Sequence, residues 1–216
     1  IGGGAIGMMQ ARELVQAGVE VTLIEKGLCG KEASWAGGGI ISPLYPWRYS
    51  EPVTALASWS QCYYGNLVES LEAESGIDPE LSRHGLLMLS LEDQAEALKW
   101  AEKHKNWAES IEKEEVYRLE PNLREGLKEA LWMPQVASVR NPRLTQALYQ
   151  SLKNESSVTI LEEQAVSGFL LESGRAKGVI TRDGAIEADN IVITAGAWSG
   201  GLLESVGVAL PVEPVR

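Results

Sequence analysis

Three glycines at the start of the chain have the spacing of a phosphate-binding turn. Gly2, Gly4 and Gly7 form the pattern G-x-G-x-x-G, and residues 5–17 have helical periodicity that ends at Gly18. In such a turn the first glycine permits a tight reversal, the second lets the backbone approach a pyrophosphate, and the third lets the helix pack on its strand. The helix then presents N–H groups and a positive dipole to the phosphates. The pattern therefore predicts a dinucleotide site.

A carboxylate follows the next predicted strand at the distance expected for a ribose contact. The β-branched run 19–24 predicts a strand. Glu25 comes directly after it, about 20 residues beyond the glycines, where a carboxylate accepts hydrogen bonds from a ribose hydroxyl. A solvated glutamate in an ordinary βαβ unit is the alternative for Glu25. The whole unit favours dinucleotide binding.

The composition argues against several other functions. The 216 residues carry a formal net charge of −11, which argues against non-specific nucleic-acid binding and attachment to anionic membranes. The sequence shows no apolar run long enough for stable membrane insertion and no secretory signal. Cys29 and Cys62 form no metal or redox motif, and two histidines are too few for a multi-histidine site. We expect reduced thiols, no bound metal and a cytoplasmic location.

The rest of the chain predicts a mixture of helices and strands, and its final third is rich in strands. The run 191–194 is apolar without alternation, which fits a strand buried on both faces. The turns at 172–174 and 182–184 suit hairpins. Predicted helices cover 52–75, 91–110 and 112–119 and begin again at Pro142, and further predicted strands cover 85–91, 127–133, 158–161, 165–171, 178–181 and 185–188.

The interruption after Glu25 favours FAD over a nicotinamide cofactor. A nicotinamide domain would continue with alternating strands and helices, whereas this chain inserts a Gly-rich loop at 34–39 and a mixed segment. The loop glycines, flanked by Trp35 and two isoleucines, indicate packing against a flat group; a flexible surface loop is the alternative. The sequence predicts an α/β fold in which an FAD-binding Rossmann-type domain is interrupted by a mixed α+β substrate domain.

Five segments, in order, resemble the FAD-dependent D-amino-acid oxidase superfamily, and within it the bacterial glycine oxidases of thiamine biosynthesis. They are the first turn, S-W-A-G-G-G-I at 34–40, S-P-L-Y-P-W-R-Y-S at 42–50, V-R-N-P-R-L at 139–144 and I-V-I-T-A-G-A-W-S at 191–199. The resemblance implies that the chain is the N-terminal portion, somewhat over half, of such an enzyme and is truncated at both ends. It lacks nearly all of its first strand.

The resemblance also implies a division into domains. The FAD-binding domain would cover 1–45 and return over 141–205. The substrate domain would begin over 46–140, with a helical insert, and its next strand would begin at 206–216.

The same resemblance implies the residues that would hold FAD. The first turn would bind the pyrophosphate, and Glu25 the ribose, with Lys26 beside it. Val166 would contact adenine, although a plain core valine is the alternative. The full implied set is Gly2, Gly4, Ala5, Ile6, Gly7, Glu25, Lys26, Ala33, Ser34, Gly37, Gly38, Gly39, Val166, Ala195 and Gly196.

The catalytic residues are not named by the sequence. In the family, the arginine and tyrosine that bind the substrate lie beyond the equivalent of Arg216. Ile41 is expected on the substrate side of the flavin. Arg48 is expected to be a surface or structural arginine rather than an anion contact.

The resemblance implies oxidative deamination of glycine, and of small amines or D-amino acids, to an imine or glyoxylate, ammonia and hydrogen peroxide. The reaction would use oxygen and serve thiazole and thiamine biosynthesis, and a homo-oligomer is an open expectation. Two alternatives remain: a flavoenzyme like the D-amino-acid dehydrogenases, or an inactive nucleotide-binding fragment. We expect this chain to be inactive alone.

Overall fold

A computed structural model describes residues 1–42, 44–104 and 108–212. They form two compact units: the first contains residues 1–37, 70–79 and the described residues from 141 onward, and the second contains 38–69 and 80–140. Parts of three predicted segments lie outside the described residues. They are Pro43 of the segment 42–50, residues 105–107 of the helix predicted over 91–110, and residues 213–216 of the strand predicted to begin at 206–216. No helix in the described part is long and apolar enough to cross a membrane.

The elements of both units follow one another along the chain. Two single-turn 3₁₀ helices cover Pro46–Arg48 and Gly196–Trp198. The α-helices are α1 Ala5–Gln16, α2 Ala33–Ala36, α3 Glu51–Ser75, α4 Gln94–Lys103, α5 Lys113–Leu119, α6 Asn141–Lys153 and α7 Ser199–Glu204. The strands are β1 Val21–Ile24, β2 Ile40–Ile41, β3 Leu86–Met88, β4 Glu109–Glu112, β5 Glu129–Met133, β6 Ala137–Ser138, β7 Val158–Leu161, β8 Val166–Glu172, β9 Arg175–Thr181 and β10 Gly184–Glu187.

The first unit contains the helix and the following strand of the predicted βαβ unit. Helix α1 ends at Gln16, and Gly18 has a φ of +81°, as expected for a glycine just past a helix end. Strand β1 pairs with β7 in parallel, from Val21 opposite Val158 to Ile24 opposite Leu161. Helix α1 packs against α6 as well as β1. The predicted helix, strand and stop signal are therefore confirmed.

A three-stranded antiparallel sheet completes the first unit. Strand β9 lies between β8 and β10. Ser173 and Gly174 both have positive φ values in the turn that joins β8 and β9, which is the backbone that a two-residue hairpin turn requires. Both predicted hairpins are confirmed.

The run 191–194 was wrongly predicted as a buried strand. It forms no strand in the described chain, and Val192 is 43% exposed. Its backbone hydrogen bonds with the start of the chain all involve Ile1: the Ile1 amino group donates to the Val192 carbonyl, and the Thr194 N–H donates to the Ile1 carbonyl. Pairing with one residue does not make a strand.

The second unit is built on an antiparallel sheet in the order β3-β5-β4, beside a small pair formed by β2 and β6. Its core contains Met88, Leu131 and Met133, and helix α4 adds Ala97 and Ala101 from one face. Tyr45 and Trp47 pack against this cluster. The aromatic loop, which we define as residues 44–50, thus packs against the core of the second unit.

Two predicted elements of this unit have wrong bounds. The helix predicted over 91–110 covers only Gln94–Lys103, and Glu109 and Ser110 belong to strand β4. Only Ile111 of β4 is buried, so its composition gave no strand signal; the strand forms because it pairs with β5. The strand predicted over 85–91 is shorter, Leu86–Met88.

Candidate functional site

A large cleft opens in the first unit at the predicted phosphate-binding turn. Its volume is about 1380 Å³, above the range of roughly 300–1,000 Å³ typical of pockets for drug-sized ligands. The start of α1, the end of β1, α2, the start of β8 and the segment around Gly196 all line it. The cleft is therefore large enough for an extended ligand such as a dinucleotide.

The turn at the base of the cleft requires glycine at two positions. Gly2 has a φ of +103°, and a Cβ there would lie 2.5 Å from the carbonyl oxygen of Thr194. A Cβ on Gly7 would lie 1.8 Å from the carbonyl oxygen of Gly2. Gly2 thus permits the reversal, and Gly7 permits close packing of the helix, as predicted from the spacing.

The amino terminus of α1 faces the cleft through Gly4, Ala5 and Ile6. Gly4 is the N-cap and provides no side chain, so the N–H groups of the first turn need partners from elsewhere. The Ala5 N–H donates to the Ser34 hydroxyl over 2.9 Å. Helix N–H groups and their dipole attract anions, and Ser34 adds a hydroxyl at the same point.

Glu25 is buried at the end of β1, not solvated. Its side chain is held on both sides: the Gly3 N–H donates to Oε2 over 2.7 Å, and the Gly27 N–H donates to Oε1 over 2.9 Å. Each carboxylate oxygen has a second lone pair. Glu25 also lines the cleft, so its carboxylate has the chemistry to accept hydrogen bonds from sugar hydroxyls.

Lys26 and Trp198 meet at the same cleft. The Lys26 ammonium lies 3.3 Å from the centre of the Trp198 ring and 3.5 Å from a carboxylate oxygen of Glu32. Trp198 is half exposed. Sequence reasoning did not single out Trp198 as a site residue, although it lies two residues after Gly196, which the resemblance implies as an FAD residue.

Cys29 packs against the backbone of the glycine turn. Its N–H donates to Glu162, whose other carboxylate oxygen accepts a hydrogen bond from the Tyr149 hydroxyl. Burial, with the nearby Glu162 carboxylate, raises the pKa of the Cys29 thiol to about 12. A Cβ on Gly3 would lie 2.5 Å from the sulfur. The protonated thiol therefore packs beneath the backbone of the turn and is a poor nucleophile.

The structure brings most of the predicted FAD residues to this cleft. Four of the predicted residues do not line the cleft. Gly7 lies behind the turn, Gly37 packs close to Asn141, and Gly38 and Gly39 belong to the second unit. Those that line the cleft are Gly2, Gly4, Ala5, Ile6, Glu25, Lys26, Ala33, Ser34, Val166, Ala195 and Gly196. Lining residues that sequence reasoning missed include Leu28, Lys31, Glu32, Gln164, Ser167, Trp198, Leu202 and Ser205.

Ile41 lines a smaller cavity within the second unit. The cavity is about 300 Å³ and also contacts Tyr64 and Arg83. Gln61 Nε2 donates to the carbonyl oxygens of Ile41 and Gln135, which fixes this wall. Burial raises the pKa of Tyr64. Ile41 is itself buried, and its expected position beside a substrate stays a prediction.

Arg48 forms an ion pair in the second unit. Its Nε and Nη2 donate to the two oxygens of Asp93, each over 2.7 Å, and Trp47 Nε1 donates to the same carboxylate. Hydrogen bonds from Arg48, and then from Trp47, hold the pKa of Asp93 well below its ordinary value. Arg48 therefore has a structural partner, as expected from the sequence.

Comparisons with known proteins show which proteins this chain is similar to. The chain is 50% identical over all 216 residues to a glycine oxidase of Pseudomonas aeruginosa and 47% identical to one of Pseudomonas putida. It matches the crystal structure of glycine oxidase from Geobacillus kaustophilus with a TM-score of 0.88 and 30% identity, over 99% of this chain and 58% of that one.

The chain matches only part of the length of its relatives. The chain spans 59% of the length of each Pseudomonas protein while being matched over its whole length. The model of the family described as FAD dependent oxidoreductase matches residues 1–216. The chain belongs to the FAD-dependent oxidoreductase family.

Proposed function

We propose that this chain is the cofactor-binding part of an FAD-dependent glycine oxidase. The observation that carries the proposal is the cleft of the first unit, where the glycine turn and the buried Glu25 meet in a chain so similar to glycine oxidases over its whole length. The activity, substrates and partners of the whole protein are part of this proposal.

The residues of the cleft fit FAD. The pyrophosphate would lie at the start of α1, where Gly4 adds no side chain; a Cβ there would lie 3.2 Å from the Ser34 hydroxyl and narrow the approach. Glu25 would accept hydrogen bonds from the ribose. Val166 would contact adenine, and Ala195 and Gly196 would let the cofactor pass close to the backbone.

The residues of this chain would contribute to the reaction by binding and orienting the cofactor. The chemistry that FAD supplies when bound is two-electron oxidation of an amine, with oxygen as the final acceptor. The helix N-terminus, Glu25 and Lys26 would fix the position of the cofactor, and so decide where a substrate must lie to react. The products would be glyoxylate or its imine, ammonia and hydrogen peroxide.

We assign the two units to the two predicted domains. The first unit would be the FAD-binding domain, because the cleft lies entirely within it. The second unit, with the cavity beside Ile41, would be the start of the substrate domain.

The cellular role follows from the proposed products. An imine made from glycine would serve thiazole assembly in thiamine biosynthesis, which places the protein in the cytoplasm. Cys29 and Cys62 are both free thiols in the structure, which is compatible with that compartment. A homo-oligomer remains part of the proposal.

Steady-state assays with a panel of amines test the reaction. Glycine, sarcosine and D-alanine would be supplied to the purified protein that carries this sequence, and oxygen uptake, peroxide and ammonia would be measured together. We expect all three signals with glycine in equal amounts. Oxidation of D-amino acids that needs an artificial electron acceptor and releases no peroxide would contradict the oxidase and favour the dehydrogenase alternative.

A further inference from the structure

We propose that Trp198 is a positioning residue for the cofactor and acts through the ammonium group of Lys26. The inference rests on the proposed FAD site, because both side chains line that cleft. Lys26 follows the end of β1, whereas Trp198 ends the 3₁₀ helix Gly196–Trp198. Two segments far apart in sequence thus meet through one cation–π contact.

The contact is short and open to solvent. The Lys26 ammonium lies 3.3 Å from the centre of the Trp198 ring, well within the roughly 6 Å over which a cation and a ring attract each other. The second partner, Glu32, lies 3.5 Å away, and both charged side chains are largely exposed. Exposed ion pairs and exposed cation–π contacts are of similar strength, so the Trp198 ring and Glu32 restrain Lys26 together.

Charge explains why this restraint matters to an anionic ligand. The chain has a net charge of −11, and Glu25 and Glu32 both line the cleft. Among the described lining residues, the side-chain cations are Lys26 and Lys31. A pyrophosphate that enters the cleft would meet these two ammonium groups as well as the N-terminus of α1, so the position of each ammonium group affects binding.

The tryptophan reduces the cost of placing that charge. A lysine side chain has many rotamers, and fixing it on binding costs conformational entropy. Trp198 holds the ammonium at the cleft wall, so less of this cost would remain when an anion binds. Two other roles for the Trp198 ring predict different results. A ring that only fills space would contribute much less to ligand affinity, and a ring that stacks on the nucleotide would contribute to affinity independently of Lys26.

A double-mutant cycle with ADP as the probe separates these roles. The flavin-free protein that carries this sequence would be titrated with ADP by calorimetry. We expect Trp198→Leu and Lys26→Met each to weaken ADP binding about two- to fivefold, the scale of one exposed cation–π contact. The double variant is expected to bind no more weakly than Lys26→Met. Trp198→Phe, which keeps an aromatic face, should restore most of the affinity.

Two controls exclude a purely structural effect. Trp59→Leu removes another exposed tryptophan, in the second unit, and should leave ADP affinity unchanged. The salt dependence of ADP binding should become less steep in both Trp198→Leu and Lys26→Met, because both changes remove the same positioned charge. Loss of packing alone would lower the melting temperature and leave the salt dependence unchanged.

The outcomes separate this inference from the function on which it rests. Additive losses in the double variant would overturn the inference, because they would show that Trp198 acts without Lys26. Unchanged affinity in Trp198→Leu would overturn it as well. A wild-type protein that binds neither ADP nor FAD would overturn the proposed function itself.

Discussion

The glycine turn of the first unit and the aromatic loop of the second unit differ in what their side chains already contact. The turn is formed by backbone, and each carboxylate oxygen of Glu25 accepts one N–H hydrogen bond and retains a second lone pair at the cleft. In the loop, Arg48 and Trp47 are both bound to Asp93. A polar residue therefore indicates a site only if the fold leaves its bonding capacity unused.

The largest effect is expected from Gly7→Val. The new Cβ would lie 1.8 Å from the Gly2 carbonyl oxygen, so α1 must move away from the turn. Overpacking of this kind costs roughly 3 kcal/mol of unfolding free energy, and we expect no retained FAD. Thermal denaturation and the ratio of flavin to protein absorbance measure both effects.

Gly38→Ala is the matched control for that change. A Cβ on Gly38 meets nothing within 4 Å, so stability should be unchanged, and FAD should be retained if only the backbone of Gly38 is used. Equal FAD content in Gly7→Val and wild type would contradict the packing role of the third glycine.

Glu25→Gln is expected to have the next largest effect. The Gly3 and Gly27 N–H groups both donate to this carboxylate, and a glutamine would turn its NH₂ group toward one of them. FAD affinity should fall roughly 10- to 100-fold, as for loss of a charged hydrogen bond. Flavin release on dilution measures this, with the exposed Glu20→Gln as a control. Unchanged affinity would refute the ribose contact.

Ile41→Trp tests whether the second unit forms the substrate side. Ile41 is buried, and overpacking there should cost about 1–3 kcal/mol. If the cavity adjoins the substrate, kcat/KM for larger amino acids should fall more than kcat/KM for glycine. Ile40→Trp changes the exposed neighbour on the same strand and is the control. Unchanged activity on both substrate classes would reject the role of Ile41.

The smallest effect is expected from Asp93→Asn. The folded-state pKa of Asp93 is depressed by Arg48 and Trp47, so its stabilising effect is full above the ordinary pKa of about 3.9 and is lost as pH falls below it. The variant should melt a few degrees below wild type at pH 7, and the gap should shrink as the pH drops below about 4.

The effect of Asp93→Asn on FAD affinity tests whether the ion pair of the second unit is separate from the cofactor site of the first unit. Asp93→Asn should leave FAD affinity unchanged, because every residue that lines the cleft belongs to the first unit. A melting difference that stays constant down to the acid limit would show that the ion pair of Arg48 and Asp93 does not stabilise the second unit.

Local patterns in the sequence predicted much of the fold. Helix α1 and its stop at Gly18, the long helix α3 and both hairpins depend on periodicity and turn residues within a short stretch. Strand β4 was missed because its pairing with β5 is not local. The run 191–194 was overpredicted because apolar composition does not show whether a neighbouring strand is present.

The residues of the candidate site also fall into two groups: those that local sequence predicts and those that depend on contacts between distant segments. Gly2, Gly4 and Glu25 could be predicted because their spacing along one short stretch is typical of a phosphate-binding turn, and the structure brings all three to the cleft. Trp198 was missed as a site residue because its partner Lys26 lies far away in sequence. The hydroxyl of Ser34 at the helix N-terminus was missed for the same reason: its contact with Ala5 exists only after folding.

The most direct test of the central claim is a visible absorption spectrum of the purified full-length protein that carries this sequence, before and after anaerobic addition of glycine. We expect flavin bands in the isolated protein that bleach with glycine and return with air as peroxide is released. Flavin bands that glycine leaves unchanged would contradict the glycine oxidase, and a protein without flavin bands that binds no added FAD would contradict the cofactor site.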